Sequence, residues 1–195
     1  MIALLAAACA HEDNAARCTA VKPGQYFAVG TFALEKGEKE FDDLVQSLYG
    51  KPLCAMNEQP MTPRAVDEAY RFLWLRTFHH PIAIRVWRKG EERNMAFKEL
   101  DGAGGYDPGK LIANLTRRLT TDEWDKFIKL LQQASYWQLP TESRNGGRDG
   151  AQWILEGKKD EQYHVVDRWS PEGGSYREAC LYLLKLSGQK QKELY

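Results

Sequence analysis

An acidic side chain and a histidine come close together in a predicted β-hairpin near the C-terminal end of the chain. A register that pairs Leu155 with Val165 places Glu156 directly opposite His164 on one face of the hairpin. A carboxylate beside an imidazole is the minimum arrangement for general base catalysis. The pair therefore predicts a small hydrolase as one hypothesis. A polar cross-strand pair on a solvated sheet face is the interpretation that we favour.

A hydrolase also needs a nucleophile, and the sequence around the hairpin provides a poor one. Ser170 is the nearest hydroxyl, and no G-x-S-x-G nucleophile elbow occurs in the chain. Asp167 is on the opposite face of the strand from His164 and so cannot orient the imidazole. We therefore expect a protein without catalytic activity.

A glycine-rich stretch, Gly104–Lys110, matches the first seven positions of a phosphate-binding P-loop and follows a predicted strand. Three residues depart from what a P-loop requires. Leu111 stands where a Ser or Thr would bind magnesium, Asp107 adds negative charge near the phosphates, and Pro108 lacks a backbone N–H. We predict a glycine-rich connection and no nucleotide or other cofactor.

No residue cluster has the spacing of a metal site. His79 and His80 are adjacent at a turn, but successive strand residues point to opposite faces of a sheet. The four cysteines form no C-x-x-C motif and no Cys/His pair with ligand spacing. We predict no bound metal.

Residues 69–90 contain basic residues interleaved with aromatic ones and no acidic residue, which is typical of a surface that binds an anionic polymer. The five acidic residues within 35–43 provide an alternative intramolecular partner for this surface. The whole chain has 27 basic and 27 acidic residues, so an excess of positive charge for nucleic-acid binding is lacking. The members of this predicted surface are Arg71, Arg76, Arg85, Arg88, Lys89, Phe72, Trp74, Phe78 and Trp87.

The first ten residues resemble an export signal. Ile2–Ala10 is uncharged and apolar and is followed at once by polar residues, but it is shorter than the ~20 residues that span a bilayer. Cleavage after Ala10 is one interpretation, and a lipobox ending at Cys9, which would carry the lipid, is the other. A cytoplasmic helix start is the alternative to both. We favour export to the periplasm or a lipid anchor in the inner or outer membrane.

Export places the remaining cysteines in an oxidising compartment. Cys180 lies on the apolar stripe of the last predicted helix, where a free thiol behaves as a small buried hydrophobic group. Cys18 and Cys54 are therefore the predicted disulfide partners.

Hydrophobic periodicity predicts an α+β fold, an antiparallel sheet with helices packed on it, in the order α-β-β-β-α-β-β-α. Residues 1–10 form the signal-like segment, 11–37 an N-terminal extension, 38–188 a single domain and 189–195 a fraying tail. Residues 110–119 are apolar, but their pattern does not indicate which type of element they form. The predicted elements are an amphipathic helix at 38–50, strands Tyr70–Phe78, Ile82–Arg88, Arg93–Leu100, Ala151–Gly157 and Gln162–Trp169, and helices starting at capping boxes Thr120/Glu123 and Ser175/Glu178.

The C-terminal third carries a recognisable pattern: Asp149-Gly150, then Trp153–Glu156, then Tyr163–Pro171, then Tyr176-Arg177. This pattern resembles a group of conserved bacterial proteins, often predicted to be exported or lipoproteins, over roughly residues 120–188. The resemblance implies an envelope location and no particular activity. Within the pattern, the residues that we predict to bind a partner are Asp149, Trp153, Asp167, Arg168 and Trp169.

Taken together, the sequence predicts an exported, non-catalytic binding protein, with a membrane tether if Cys9 is lipidated. Its expected partner is another protein or an anionic polymer of the cell envelope, and not nucleic acid. The small hydrolase and an immunity or inhibitor protein are the alternatives.

Overall fold

The computed structural model describes residues 18, 21–33, 38–61, 66–142, 147–191 and 193–195. The predicted export segment and Cys9 lie outside these residues.

Six antiparallel strands form one sheet in the spatial order β4-β3-β2-β1-β5-β6. The α+β prediction is confirmed, with one strand added, so that the order becomes α-β-β-β-β-α-β-β-α. The added strand is the stretch that the sequence left ambiguous. It lies at the sheet edge with almost every residue exposed, and so it lacks the apolar alternation of a half-buried strand. The strands are β1 (Glu68–Arg76), β2 (Ile82–Lys89), β3 (Glu92–Leu100), β4 (Leu111–Arg118), β5 (Ala151–Lys159) and β6 (Gln162–Trp169).

Three α-helices occur in the described residues: α1 (Lys39–Ala55), α2 (Thr121–Gln133) and α3 (Ser175–Ser187), with a short 3-10 turn at Tyr136–Gln138. Helix α2 begins with the predicted capping box. The capping box predicted for α3 does not form, because Gly174 occupies the N-cap position and no side chain caps the helix.

Helix α1 continues past Gly50, where the sequence predicted its end. A Cβ atom at this glycine would lie only 2.5 Å from a methyl carbon of Val21. Gly50 therefore allows close packing of the helix against the N-terminal segment and does not terminate it. Pro52 lies inside the last turns, where its missing N–H removes one helical hydrogen bond.

Helices α2 and α3 cover one face of the sheet, which we call the helix face. The alternating apolar residues of β1, β2 and β3 point to this face as predicted, except that Phe78 lies beyond the end of β1 and is 59% exposed. Residues 189–195, for which the sequence predicts fraying, include Tyr195, whose main-chain oxygen accepts hydrogen bonds from the indoles of Trp74 and Trp153. The helix face is the main apolar core of the protein.

The opposite face carries a second core made by residues 21–33 and α1, which we call the N-terminal lobe. A disulfide joins Cys18 to Cys54 in the last turn of α1, with the two Cα atoms 5.5 Å apart, while Cys180 is free and buried on the helix face. The carboxylate of Asp42 accepts hydrogen bonds from the backbone N–H groups of Gly30 and Phe32. These bonds fix the segment 21–33 against α1.

Helix α1 buries the apolar residues Val45, Tyr49 and Leu53, but it also buries polar residues and leaves part of its apolar surface exposed. Its buried side includes Asp42 and Gln46, whereas three residues of its apolar stripe point to solvent. Phe41, Leu44 and Leu48 are 38%, 56% and 50% exposed. The hydrogen bonds of the lobe to Asp42 and Gln46 determine which side of the helix faces inward.

Candidate functional site

The predicted pair of Glu156 and His164 does not form. The hairpin pairs Glu156 with Val165 and His164 with Gly157, one residue away from the predicted register. Because side chains alternate along a strand, this difference places the two groups on opposite faces of the sheet. The predicted general base therefore has no supporting carboxylate.

Glu156 belongs to a buried charge cluster under the N-terminal lobe. Its carboxylate forms an ion pair with the guanidinium of Arg71, and both side chains are 1% exposed. The hydroxyl of Tyr163 donates to the same carboxylate at 2.8 Å, and Arg71 also donates to the carbonyl of Gln59 at 2.8 Å. Burial raises the pKa of Glu156, and the charge of Arg71 opposes this rise. These contacts hold β1 and β5 together beneath the lobe.

His164 lies on the helix face, with its ring against the rings of Tyr136 and Trp137. Its Nε2 atom is 2.9 Å from the carbonyl oxygen of Leu139, so Nε2 carries the proton and donates this bond. Burial lowers the pKa of His164. The hydroxyl of Ser170 accepts a hydrogen bond from the backbone N–H of Ala151. The imidazole and the hydroxyl thus both have structural partners.

The residues predicted to bind a partner are dispersed. Trp153 is fully buried in the core of the helix face, and Arg168 donates to the carbonyl oxygens of Pro140 and Thr141. Asp149 is exposed. Asp167 and Trp169 lie at or next to a single cleft, which is the candidate site.

The predicted basic aromatic surface of residues 69–90 does not exist as one surface. Arg71 is buried in its ion pair, and Phe72 and Trp74 point to the helix face. Arg85 and Trp87 remain together on the opposite face, in a smaller groove. Successive side chains of a strand point to opposite faces of the sheet. Basic and aromatic residues that are neighbours in the sequence are therefore divided between the two faces.

A cleft of about 460 Å³ opens between α1, the loop that follows β3, and the adjoining ends of β1, β5 and β6. It lies at the border of the N-terminal lobe. The residues that determine its chemistry are Tyr49, Lys51, Tyr106, Arg148, Gln152 and Trp169.

The glycine-rich loop forms one wall of this cleft. A Cβ at Gly104 would lie 2.7 Å from the backbone nitrogen of Arg76, so a glycine is required for the loop to approach β1 so closely. The backbone N–H groups of Gly104 and Gly105 donate to the carbonyl oxygens of His79 and Thr77. Since these N–H groups are already bonded, the loop cannot hold phosphates as a P-loop does.

Asp167 lies behind the cleft and fixes two of its lining side chains. The hydroxyl of Tyr49 donates to one carboxylate oxygen at 2.8 Å, and the amide of Gln152 donates to the other at 2.9 Å. Asp167 is 1% exposed, and burial raises its pKa to about 6, against the effect of these two hydrogen bonds. Its role is therefore to position Tyr49 and Gln152.

Trp169 is oriented by glycines at the start of β5. A Cβ at Gly150 would lie 2.7 Å from the Trp169 ring, and one at Gly147 would lie 2.5 Å from its indole nitrogen. On the other side of the cleft, the ring of Tyr106 is 72% exposed and stacks on Phe78 at 6.1 Å between ring centroids. The cleft thus has aromatic rings on two sides.

Lys51 and Arg148 supply the charge of the cleft, whose described lining includes no acidic residue. Among the described residues, neither cation has an ion-pair partner. Sequence reasoning missed both, together with Tyr49 and Gln152, because they lie in separate elements that only the fold brings together.

Neither histidine of the predicted turn pair forms part of a metal site. His79 Nδ1 contacts the hydroxyl of Tyr195, and His80 Nδ1 lies 3.0 Å from the carboxylate of Glu99. Within the described part of the chain, no three His, Cys, Asp or Glu side chains are grouped so that they could hold a metal ion. A search of the same residues for a helix of sufficient length and apolar character to cross a bilayer found none.

The fold and the cleft define an α+β protein with a cationic cleft that aromatic rings line. No family model, curated protein or solved structure matches the chain.

Proposed function

We propose that this protein is a non-catalytic binding protein of the bacterial cell envelope, and that its cleft binds an anionic polymer. The observation that carries the proposal is the pairing of Lys51 and Arg148 with aromatic rings in a cleft whose described lining has no acidic side chain. Residues 143–146, which precede the cleft residue Arg148 in the chain, have the sequence S-R-N-G and also contain no acid. Cations favour an acidic ligand, and exposed rings provide flat surfaces for sugar or other ring units.

The proposed compartment is the periplasm, or a membrane surface reached through a lipid on Cys9. The Cys18–Cys54 disulfide supports this, because disulfides persist in oxidising compartments and are rare in the cytosol. The apolar segment Ile2–Ala10 supports it independently. The intact mass of protein recovered from a bacterial host, measured without reduction, tests both features. A full-length chain with free thiols would contradict export.

A binding role is preferred to hydrolysis because the two groups proposed for catalysis lie on opposite faces of the sheet. Each is held by structural contacts, Glu156 by Arg71 and His164 by the carbonyl of Leu139. Neither lines the cleft.

The test is binding of the full chain to polygalacturonate and dextran sulfate, compared with neutral dextran of similar length. We expect binding to the two anionic polymers only, weakening as salt rises because counterions screen the cleft. Lys51→Ala and Arg148→Ala should each weaken binding about tenfold, which corresponds to roughly 1.4 kcal/mol. Lys129→Ala, which removes an exposed lysine from α2, is the matched control. Equal binding to neutral dextran, or equal effects of all three variants, would contradict the proposal.

A further inference from the structure

The outward stripe of α1 is an exposed apolar surface that the cleft does not explain. Phe41, Leu44 and Leu48 follow one another at helical spacing on the solvent side of the helix. Leu48 also lines the cleft, so the stripe reaches the edge of the proposed binding site. In a helix whose inward side includes Asp42 and Gln46, three large apolar residues on the outward side indicate a surface that meets something apolar.

We propose that this stripe docks the protein on the surface of a zwitterionic phospholipid bilayer. An amphipathic helix that lies in the plane of the membrane places its apolar side chains among the acyl chains and its charged residues at the headgroups. The inference rests on the proposed envelope location and deepens it, because it states which side of the protein faces the membrane.

The first argument for a bilayer is the length of chain between Cys9 and the stripe. Cys9 precedes Cys18 by nine positions, which can span at most about 30 Å. The disulfide fixes Cys18 to Cys54, in the last turn of the helix that carries the stripe. A lipid on Cys9 would therefore keep the C-terminal end of α1 within roughly 35 Å of the membrane surface, and Phe41, at the other end of the stripe, at most about 20 Å further away.

The second argument concerns what else could cover the stripe. Outside the described residues, the long apolar run of the chain is Ile2–Ala10, which processing at a lipobox would remove except for Cys9 and Ala10. Residues 11–17 have the sequence H-E-D-N-A-A-R, which offers no large apolar side chain. The processed chain thus has no comparable segment of its own to cover three large apolar residues.

The charges around the stripe determine the kind of bilayer. Lys39 pairs with Asp43, and the other exposed charges at the start of the helix, Glu38 and Glu40, are negative. A weakly acidic surface should not require anionic lipids, and docking on lipids without net charge should be nearly insensitive to salt. Polymer binding in the cleft should weaken with salt, which separates the two proposals experimentally.

The experiment is flotation of the chain that begins at Ala10 with vesicles of phosphatidylcholine and phosphatidylethanolamine. Starting at Ala10 removes both any acyl chain on Cys9 and the apolar run before it, so that flotation reports on the helix. In this background we expect the protein to float with the vesicles, with the partition coefficient changing less than twofold between 50 mM and 500 mM NaCl. The Leu44→Glu/Leu48→Glu double variant should reduce partitioning about tenfold.

Strand β4 provides a matched control, because its exposed apolar residues have similar accessibility. Leu115 is 49% exposed against 50% for Leu48, and Ile112 is 53% exposed against 56% for Leu44. Ile112→Glu/Leu115→Glu should leave flotation unchanged. A fluorescent probe on Leu44→Cys should shift to shorter wavelength with vesicles, and the same probe on Leu115→Cys should not.

Two results would overturn the docking proposal. One is a failure to float at millimolar lipid, or equal losses in the stripe and control variants. The other is a lipid-free dimer that the stripe variant converts to monomer, because a second copy of the chain would then be the occupant. If Cys9 proves unmodified, the anchor is wrong, and flotation of the chain that begins at Ala10 still decides the docking.

Discussion

The two faces of the sheet are built on different principles. The helix face is covered by α2 and α3 and is filled with aromatic and aliphatic side chains. The opposite face has a smaller apolar core and buries Arg71, Glu156 and Asp167 beneath a lobe that a disulfide closes. The candidate cleft and the outward stripe of α1 both belong to this second face. Both faces thus contribute to stability by different means, and the proposed binding surfaces lie on the second one.

The largest expected effect comes from breaking the buried ion pair. Glu156→Ala leaves the Arg71 charge buried without its nearest partner and should lower the free energy of unfolding by about 3–5 kcal/mol. Urea unfolding measures the change. The double variant Arg71→Met/Glu156→Leu should recover most of the loss, because it removes both charges. If the single and double variants are equally unstable, the charges are not the cause.

Removing the disulfide should destabilise the N-terminal lobe. The bond links residues 36 positions apart, and the chain-entropy model gives a loss of about 4 kcal/mol for a loop of that size. Cys18→Ser/Cys54→Ser should therefore have a lower melting temperature than the oxidised wild type. Dithiothreitol should lower the melting temperature of the wild type to that of the variant, and it should not change the melting temperature of the variant. The free Cys180, buried on the helix face, provides the comparison, because Cys180→Ala should not alter the response to reductant.

Asp167 should make the stability of the protein depend on pH. Its pKa is raised from 3.8 to about 6 in the folded protein, so the folded state holds this proton more tightly than the unfolded state does. The resulting stabilisation is present below about pH 4 and is lost as pH rises through 6, by about 3 kcal/mol in total. Relative to Asp167→Asn, the wild type should lose stability between pH 4 and 7. Parallel stability curves for the two proteins over that range would exclude Asp167 as the source.

The smallest expected effect tests whether a change in stability on the helix face leaves binding on the second face unaffected. Thr120→Ala removes the capping box of α2 on the helix face and should cost about 1 kcal/mol of stability. Polymer binding by the folded variant should be unchanged, since α2 does not line the cleft. A parallel loss of binding would show that the two faces are coupled.

The helix face was the more predictable of the two. Alternation along β1, β2 and β3 identified its core residues, because the central residues on one face of each strand are apolar. The α2 capping box was also correct. Strand β4 was missed because an exposed edge strand leaves little hydrophobic pattern in the sequence.

The second face was harder to predict, because it depends on the register of the β5–β6 hairpin and on a cleft formed by elements that are far apart in the sequence. Strand β5 is buried on both faces along most of its length, so alternation does not define its pairing. The hairpin turns at Asp160, which adopts a positive φ of 52°, and pairs Glu156 with Val165, so its register differs by one residue from the predicted pairing of Leu155 with Val165. That shift separated Glu156 from His164. The cleft combines α1, a loop and strand ends, which no local pattern relates.

The Cys18–Cys54 disulfide closes a ring in the N-terminal lobe, which affects what proteolysis does to the protein. A single cut in any peptide bond between Cys18 and Cys54 leaves the two fragments covalently joined. Helix α1 would then stay attached to the sheet after such a nick, held also by the hydrogen bonds of Asp42. The nicked form would migrate as an intact chain on a denaturing gel until a reductant separated the fragments. A protease that attacks the lobe once would therefore leave the sheet, the cleft and α1 in one molecule.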